Sequence, residues 1–230
     1  MAAEGPARFA IYWAPDPADP LHAAGAAWLG RDAETGAACP QPHRLGLAAL
    51  TADPRRYGFH ATLKPPMRLR AGRTFADLRQ ATATLAAALA PFPLPRLAVA
   101  NLDGFLALRE TEPCPQLHAL AAACVTALDD FRAPPDAAEL ARRHAAGLSA
   151  AAAALLDRWG YPHVLELWRF HMTLSQCLEA ADHDRLRPAA EAHFAAALAQ
   201  ARQVAALSLF TQRDPQAPFL VAERFRLGGA

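Results

Sequence analysis

Four cysteines, Cys39, Cys114, Cys124 and Cys177, are scattered through 230 residues with no C-x-x-C pair and no histidine at zinc-finger spacing. That pattern excludes a disulfide framework and a structural zinc from the expected architecture. Cys124 falls on the apolar stripe of a helix, where a reduced thiol packs as a small hydrophobe. Charge of one sign is also missing: 23 Lys and Arg stand against 22 Asp and Glu, a net +1. Such a balance offers no broad field for gripping a long polyanion, so it favours a small phosphorylated sugar or nucleotide over RNA as the partner. No apolar run reaches the roughly 18 residues of a membrane span. Met1 to Arg8 lacks the basic-then-apolar layout of a secretory signal, and the expected location is cytoplasmic. Neither half holds a Gly-rich phosphate loop. With 53% hydrophobic and 20% charged residues, the chain is of the soluble globular class and long enough to bury a core.

What is present is a pattern written twice. Phe59-His60-Ala61-Thr62-Leu63 and Phe170-His171-Met172-Thr173-Leu174 share the order Phe-His-x-Thr-Leu, one copy in each half of the chain. Each reads as a strand, since Phe, Thr and Leu suit a half-buried pleated surface. Period-two alternation puts His60, Thr62 and Lys64 on one face and Phe59, Ala61 and Leu63 on the other. Arg169, His171, Thr173 and Ser175 share a face in the second copy. A single such strand is most simply a core segment with a structural histidine; two copies in the same order point to an internal duplication with one functional motif per half.

The surrounding pattern is α+β. Strands are expected over Arg8–Trp13, from Gly58 to Leu69 (with Pro65 and Pro66 marking an edge or a bulge), over Leu97–Asn101 and over Phe105–Arg109. The last two flank Asp103-Gly104, a hairpin signal. Residues 31–56 read as loop with one helical turn. Helices are expected over Leu21–Leu29, after Thr74 with its Asp77 capping box, and from Leu117 to Phe131. Residues 134–160 form a helical insert without counterpart in the first half, either a lid over the site or a solvated decoration. The second motif strand is expected over His163–Cys177, followed by a helix over Asp184–Ala201 and strands over Val204–Gln212 and Pro218–Leu227.

Cleaving a phosphodiester requires a proton taken from the nucleophile and one given to the leaving oxygen. Imidazole, with an ordinary pKa of about 6.5, serves in either role near neutrality, so His60 and His171 are the candidate catalytic pair. Thr62 and Thr173, two residues on and on the same faces, are the candidate donors to nonbridging phosphate oxygens. Lys64 and Arg169 are candidate cations beside them; Tyr12 and Tyr57, near strand ends, are candidate sugar or base contacts. Neither Phe59–Leu63 nor Phe170–Leu174 contains a carboxylate, so no metal and no cofactor is expected.

This arrangement resembles the 2H phosphoesterase superfamily, named for its two histidine motifs, which includes cyclic phosphodiesterases and RNA-end-processing enzymes. The resemblance implies a single bilobal domain over residues 1–230, with two related α+β lobes whose antiparallel sheets face a central cleft and helices outside. It also implies the acid/base roles of His60 and His171 and the phosphate-ligand roles of Thr62 and Thr173. The stretch from Arg56 to Pro66, with Arg8–Pro15 and Gly104–Arg109, is similar to a branch associated with phosphonate-utilisation operons. In that setting the implied reaction is opening of a ribose cyclic phosphate, with the 1,2-cyclic phosphate of ribose 5-phosphate as leading substrate. Two other readings stay open: an RNA or 2',3'-cyclic nucleotide end-processing phosphodiesterase, and a noncatalytic nucleotide or phosphosugar binder.

Overall fold

The sequence places its turns and caps with local chemistry, and the computed structural model shows most of them in use. It describes residues 7–43, 46–145 and 147–229; the signal-peptide reading of Met1–Arg8 lies almost wholly outside them. Asp103 and Gly104 adopt φ of 51° and 97°, as a two-residue primed hairpin turn requires, and join β4 (Leu97–Leu102) to β5 (Phe105–Glu110). Helix α1 (Pro20–Leu29) starts at Asp19, whose carboxylate accepts from Leu21 N–H, and stops at left-handed Gly30. The Thr74–Asp77 capping box opens α4 (Phe75–Ala87).

Seven strands form one antiparallel sheet, in the order β4, β5, β6 (Met172–Cys177), β2 (Ala61–Met67), β1 (Arg8–Trp13), β8 (Ala206–Gln212), β9 (Leu220–Arg226). A second sheet pairs β3 (Phe92–Leu94) with β7 (Arg202–Val204). The fold is α+β, and its two lobes do not coincide with the two halves of the sequence. His60 belongs to the lobe of β2, β1, β8 and β9, drawn from both chain ends. His171 belongs to the lobe of β6, β5 and β4, in which a second-half strand pairs with first-half strands. The lobes join where β2 meets β6 through one residue pair, Ala61 with Met172.

Helices cover the sheet: α4 lies against β8 and β9, α5 (Pro115–Ala127) against β2, and α8 (Ala180–Leu198) against β4 and β5. The inner faces of both motif strands supply the core beneath them. Ala61, Leu63, Met172 and Leu174 have no exposure, and Phe59 and Phe170 are buried beside them. Each large side chain of this set contributes about 1.5–3 kcal/mol by leaving water, so the register of both strands is fixed by their apolar faces. The Trp28 indole N–H from α1 donates to Leu174 O at 2.9 Å, and the Trp168 indole N–H donates to Thr62 O at 2.8 Å. Among the described residues, no helix is long and apolar enough to cross a membrane.

Two expectations are corrected. Residues 31–56 contain two short helices, α2 (Leu47–Leu50) and α3 (Ala52–Tyr57, which ends one residue later). The second motif strand begins only at Met172, because Leu165 has a φ of 49° and opens a 3-10 turn over Leu165–Leu167 that interrupts extended backbone. The helical insert is present as expected: α6 (Ala137–His144) and α7 (Ala150–Trp159) are capped by the Asp136 and Ser149 side chains, and α7 ends at left-handed Gly160.

Candidate active site

The lobe junction falls at the centre of both motifs. Ala61 stands between His60 and Thr62, Met172 between His171 and Thr173, and these two central residues are the paired ones. Both central side chains are fully buried, so alternation sends the four flanking side chains to the opposite face. Antiparallel pairing sets His60 opposite Thr173 and Thr62 opposite His171. A cavity of about 430 Å³ opens on that face, lined by His60, Thr62, Thr173, Tyr12, Tyr57 and Phe105 among others. His171 does not itself line the cavity; it packs edge-on against Phe105, which does, with ring centroids 5.8 Å apart.

The two imidazoles are held in the same way. Nδ1 of His60 lies 2.9 Å from Gly58 O, and Nδ1 of His171 lies 2.9 Å from Arg169 O. A carbonyl only accepts, so each Nδ1 carries the hydrogen and each Nε2 is left for chemistry. In His60 that Nε2 is 3.1 Å from the Thr62 hydroxyl. Gly58 can present its carbonyl this way because it has a φ of 86°, and a Cβ there would stand 2.6 Å from the Ala33 Cβ. The end of α3 just before it is tied down by Arg31, which donates to Arg55 O at 2.9 Å and Arg56 O at 3.3 Å.

Both histidines are less basic than free imidazole. Burial pushes His60 down to about 3, the bond to Gly58 O opposing and the charges of His171 and Arg31 adding to the fall. Burial likewise lowers His171, with Arg169 O opposing and the Arg169, Arg109 and His163 charges adding. Empty, the site therefore holds two neutral imidazoles at neutral pH. A bound phosphate anion stabilises the protonated form of either.

Of the residues singled out in the sequence, His60, Thr62, Thr173, Tyr12 and Tyr57 come together around this cavity. Tyr12 is buried and stacks on His60, while Tyr57 stacks on Phe219. Lys64 does not join them. Ile11 pairs with Lys64 and Tyr12 with Thr62, so β2 spends two residues where β1 spends one. The bulge reverses alternation after Leu63 and turns Lys64 inward. Its ammonium donates to Val125 O at 3.0 Å and lies 3.5 Å from Asp129, and burial lowers it to about 8. Arg169 also points elsewhere: its guanidinium pairs with exposed Asp103 at the hairpin turn, 2.5 Å away. Its backbone, through the carbonyl on His171, is what serves the site.

Several residues at the site carried no sequence signal. Arg143, from the insert, and Tyr161, just after it, line the cavity together with Arg8 and Asp53; the insert is thus a wall of the site. The chain has only three tyrosines, and all three border this one cavity. Arg109 lies in a hairpin strand, where an arginine ordinarily makes a surface ion pair. It pairs loosely with Glu110 at 3.8 Å, but Leu108 pairs with Met172, which sets Arg109 opposite His171. Its Nε is buried without a hydrogen-bond partner among the described residues.

Comparison with known proteins places the chain. Two curated relatives, both named ribose 1,5-bisphosphate phosphokinase PhnN, come from Janthinobacterium sp. (strain Marseille) and Laribacter hongkongensis (strain HLHK9). The first is 42% identical over 242 residues, covering 100% of this chain and 52% of the relative. The second is 40% identical over 214 residues, covering 92% and 50%. The chain thus spans about half the length of the curated relatives it matches. Among solved structures, E. coli LigT complexed with 3'-AMP is similar at 16% identity and a TM-score of 0.47, over 97% of this chain and 99% of that one. A crystal structure described as a phosphoesterase is similar at 15% identity and a TM-score of 0.45, over 97% and 99%. The family model described as "Protein of unknown function (DUF1045)" matches residues 62–220, more than half of the sequence, and the chain belongs to that family.

Proposed function

We propose that this chain is a metal-independent cyclic phosphodiesterase of the 2H type that opens a ribose cyclic phosphate, with 5-phosphoribosyl 1,2-cyclic phosphate as the leading substrate. The observation that carries the reading is the Ala61–Met172 pair. It sets two His-x-Thr motifs head to tail across a local two-fold, so that one phosphorus atom can be approached from two sides.

In the proposed reaction, Nε2 of one histidine takes a proton from water as the water oxygen bonds to phosphorus. Nε2 of the other gives its proton to the ribose oxygen as the P–O bond breaks. One water is consumed and a ring-opened phosphomonoester leaves. Thr62 and Thr173 donate to the nonbridging oxygens, where charge accumulates. Substrate orientation decides which imidazole acts as base. Because both are neutral in the empty site, the acid acquires its proton with the anionic substrate. The motif strands contain no carboxylate for a metal, which favours acid–base catalysis by the imidazoles alone. The relatives' name supports a ribosyl phosphate as substrate class, and a cytoplasmic location suits such a metabolite.

Purified protein offered ribose 1,2-cyclic phosphates and 2',3'-cyclic nucleotides with EDTA present should yield phosphomonoesters, identified by phosphorus NMR. Turnover that disappears with the chelator, or no ring opening of any cyclic phosphate, refutes the proposal.

A further inference from the structure

The cavity extends well past the His-x-Thr motifs. At its far edge Arg8, Pro66 and Arg143 are shared with a second cleft of about 470 Å³, whose walls also carry Arg68, Arg132 and Arg142. Only two carboxylates, Asp136 and Glu139, line that cleft, so cations outnumber anions where the two spaces meet. The two shared arginines are held in place. Arg8 Nε donates to the Gln212 side chain at 2.6 Å and the guanidinium lies over Phe219, 5.4 Å from the ring centroid. Among the described residues its Nη groups have no hydrogen-bond partner. Arg143 donates to Gly160 O at 2.7 Å and to Glu139 at 2.6 Å, and lies 5.9 Å from the centre of the Tyr161 ring. Arg8, stacked on an aromatic and tethered only through Nε, keeps both Nη groups aimed in the form suited to phosphate oxygens. Both Nη of Arg143 are held, one by Gly160 O and one by its ion pair with Glu139, which fixes the guanidinium and leaves it the second hydrogen of each Nη.

Tyr57 and Tyr161 border the same edge. Burial raises the Tyr161 phenol above its ordinary value, so it stays a neutral donor beside an anion. Asp53 also lines the cavity. None of this is needed to cleave a bare cyclic diester.

We propose that the Arg8–Arg143 edge is a second anion subsite that takes a phosphomonoester borne on the same small substrate, so that the substrate class is a sugar cyclic phosphate carrying an additional terminal phosphate. This deepens the cyclic-phosphodiesterase reading and rests on it for the diester end only. It also gives the insert its part: α6 brings Arg143 to the far end of the substrate.

The test compares ribose 1,2-cyclic phosphate with its 5-phosphorylated form, and adenosine 2',3'-cyclic phosphate with its 5'-phosphorylated form, in wild type, Arg8→Gln and Arg143→Gln. One charge-assisted contact corresponds to about 10- to 100-fold. The wild type should therefore prefer the phosphorylated member of at least one pair by that factor or more in kcat/KM. Each glutamine variant should reduce the preference toward unity, and Arg143→Lys should restore part of it. Ring opening with no preference in the wild type overturns the subsite and leaves the diesterase intact. If no compound is opened, calorimetric titration with the same pairs decides. At least tenfold tighter binding of a phosphorylated member, lost in Arg143→Gln, upholds the subsite though the diesterase reading has failed; equal binding overturns it.

Discussion

Tyr12 lies flat on His60, ring centroids 3.6 Å apart and planes inclined by 17°. The stack, the bond to Gly58 O and the Thr62 hydroxyl constrain the imidazole from three directions, so Nε2 is aimed before substrate arrives. Aromatic pairs of this kind contribute about 0.5–1.5 kcal/mol. Tyr12→Phe, which keeps the ring, should leave kcat within about threefold of wild type, and Tyr12→Leu should lower it by up to about tenfold. Steady-state kinetics on the preferred cyclic phosphate check this; equal activity of the two variants would mean that the stack only fills space.

His60→Ala and His171→Ala should each reduce kcat by roughly 100- to 10,000-fold, and the double variant by little more than the worse single one, because the pair acts as a unit. Substrate binding, followed by calorimetry, should persist in both. Near-normal turnover in either variant would end the acid–base assignment.

The pH dependence follows from burial. Both imidazoles titrate below 6.5 in the free protein, His60 near 3. The base must be neutral and the acid protonated, and protonation is lost as pH rises through the acid's lowered pKa. The kcat/KM profile, which reports free enzyme, should therefore be bell-shaped with its alkaline limb below pH 6.5. A bound phosphate anion raises both groups, so the kcat profile should lie at higher pH. An alkaline limb of kcat/KM above pH 7.5 would contradict the burial of these rings.

Lys64 shows how one local irregularity redirects a residue. Its ammonium is buried against Val125 O and Asp129, while Asp129 is held separately by Arg132 at 2.8 Å. Lys64→Met keeps the volume and leaves Asp129 paired, so stability should change by less than about 2 kcal/mol and KM should not move. Denaturant unfolding and kinetics test both. The depressed pKa also has a sign: the buried charge is unfavourable below about pH 8 and is relieved as Lys64 loses its proton above that value. Wild type should therefore gain stability relative to Lys64→Met between pH 8 and 10.5. A KM raised tenfold in Lys64→Met would return Lys64 to the substrate.

Much of this site is legible in the sequence because its signals are local. Period-two alternation through Phe59–Leu63 and Phe170–Leu174 tells which residues share a face, and Asp103-Gly104 specifies its hairpin by backbone chemistry alone. What was not legible depends on pairing between distant segments. Whether β6 pairs with β5 or with a strand of its own half is decided by tertiary burial. The position of a bulge depends on the partner strand, so the prolines at 65 and 66 flag an irregularity without saying that Lys64 turns inward. Arg8, Arg143 and Tyr161 come from a strand, an insert helix and a loop. Nothing in their neighbourhoods marks them, since an arginine on a helix or beside a strand end is ordinarily a solvated charge.

Arg109 makes the same point from the other lobe and carries the last prediction. The register of β5 on β6 sets it opposite His171, and its charge is among the causes that lower that imidazole, behind burial and Arg169. Arg109→Gln removes this repulsion while keeping a polar side chain of moderate length. If the effect is electrostatic alone, the His171 imidazole, followed by NMR titration in the free protein, should move upward toward 6.5. The limb of kcat/KM that it governs should shift by the same amount. Arg109→Lys keeps the positive charge and should leave both near wild type. If the glutamine and lysine variants both lose activity with the His171 titration unchanged, Arg109 acts by contact instead of by field. Its partnerless Nε would then be a donor to the phosphate itself.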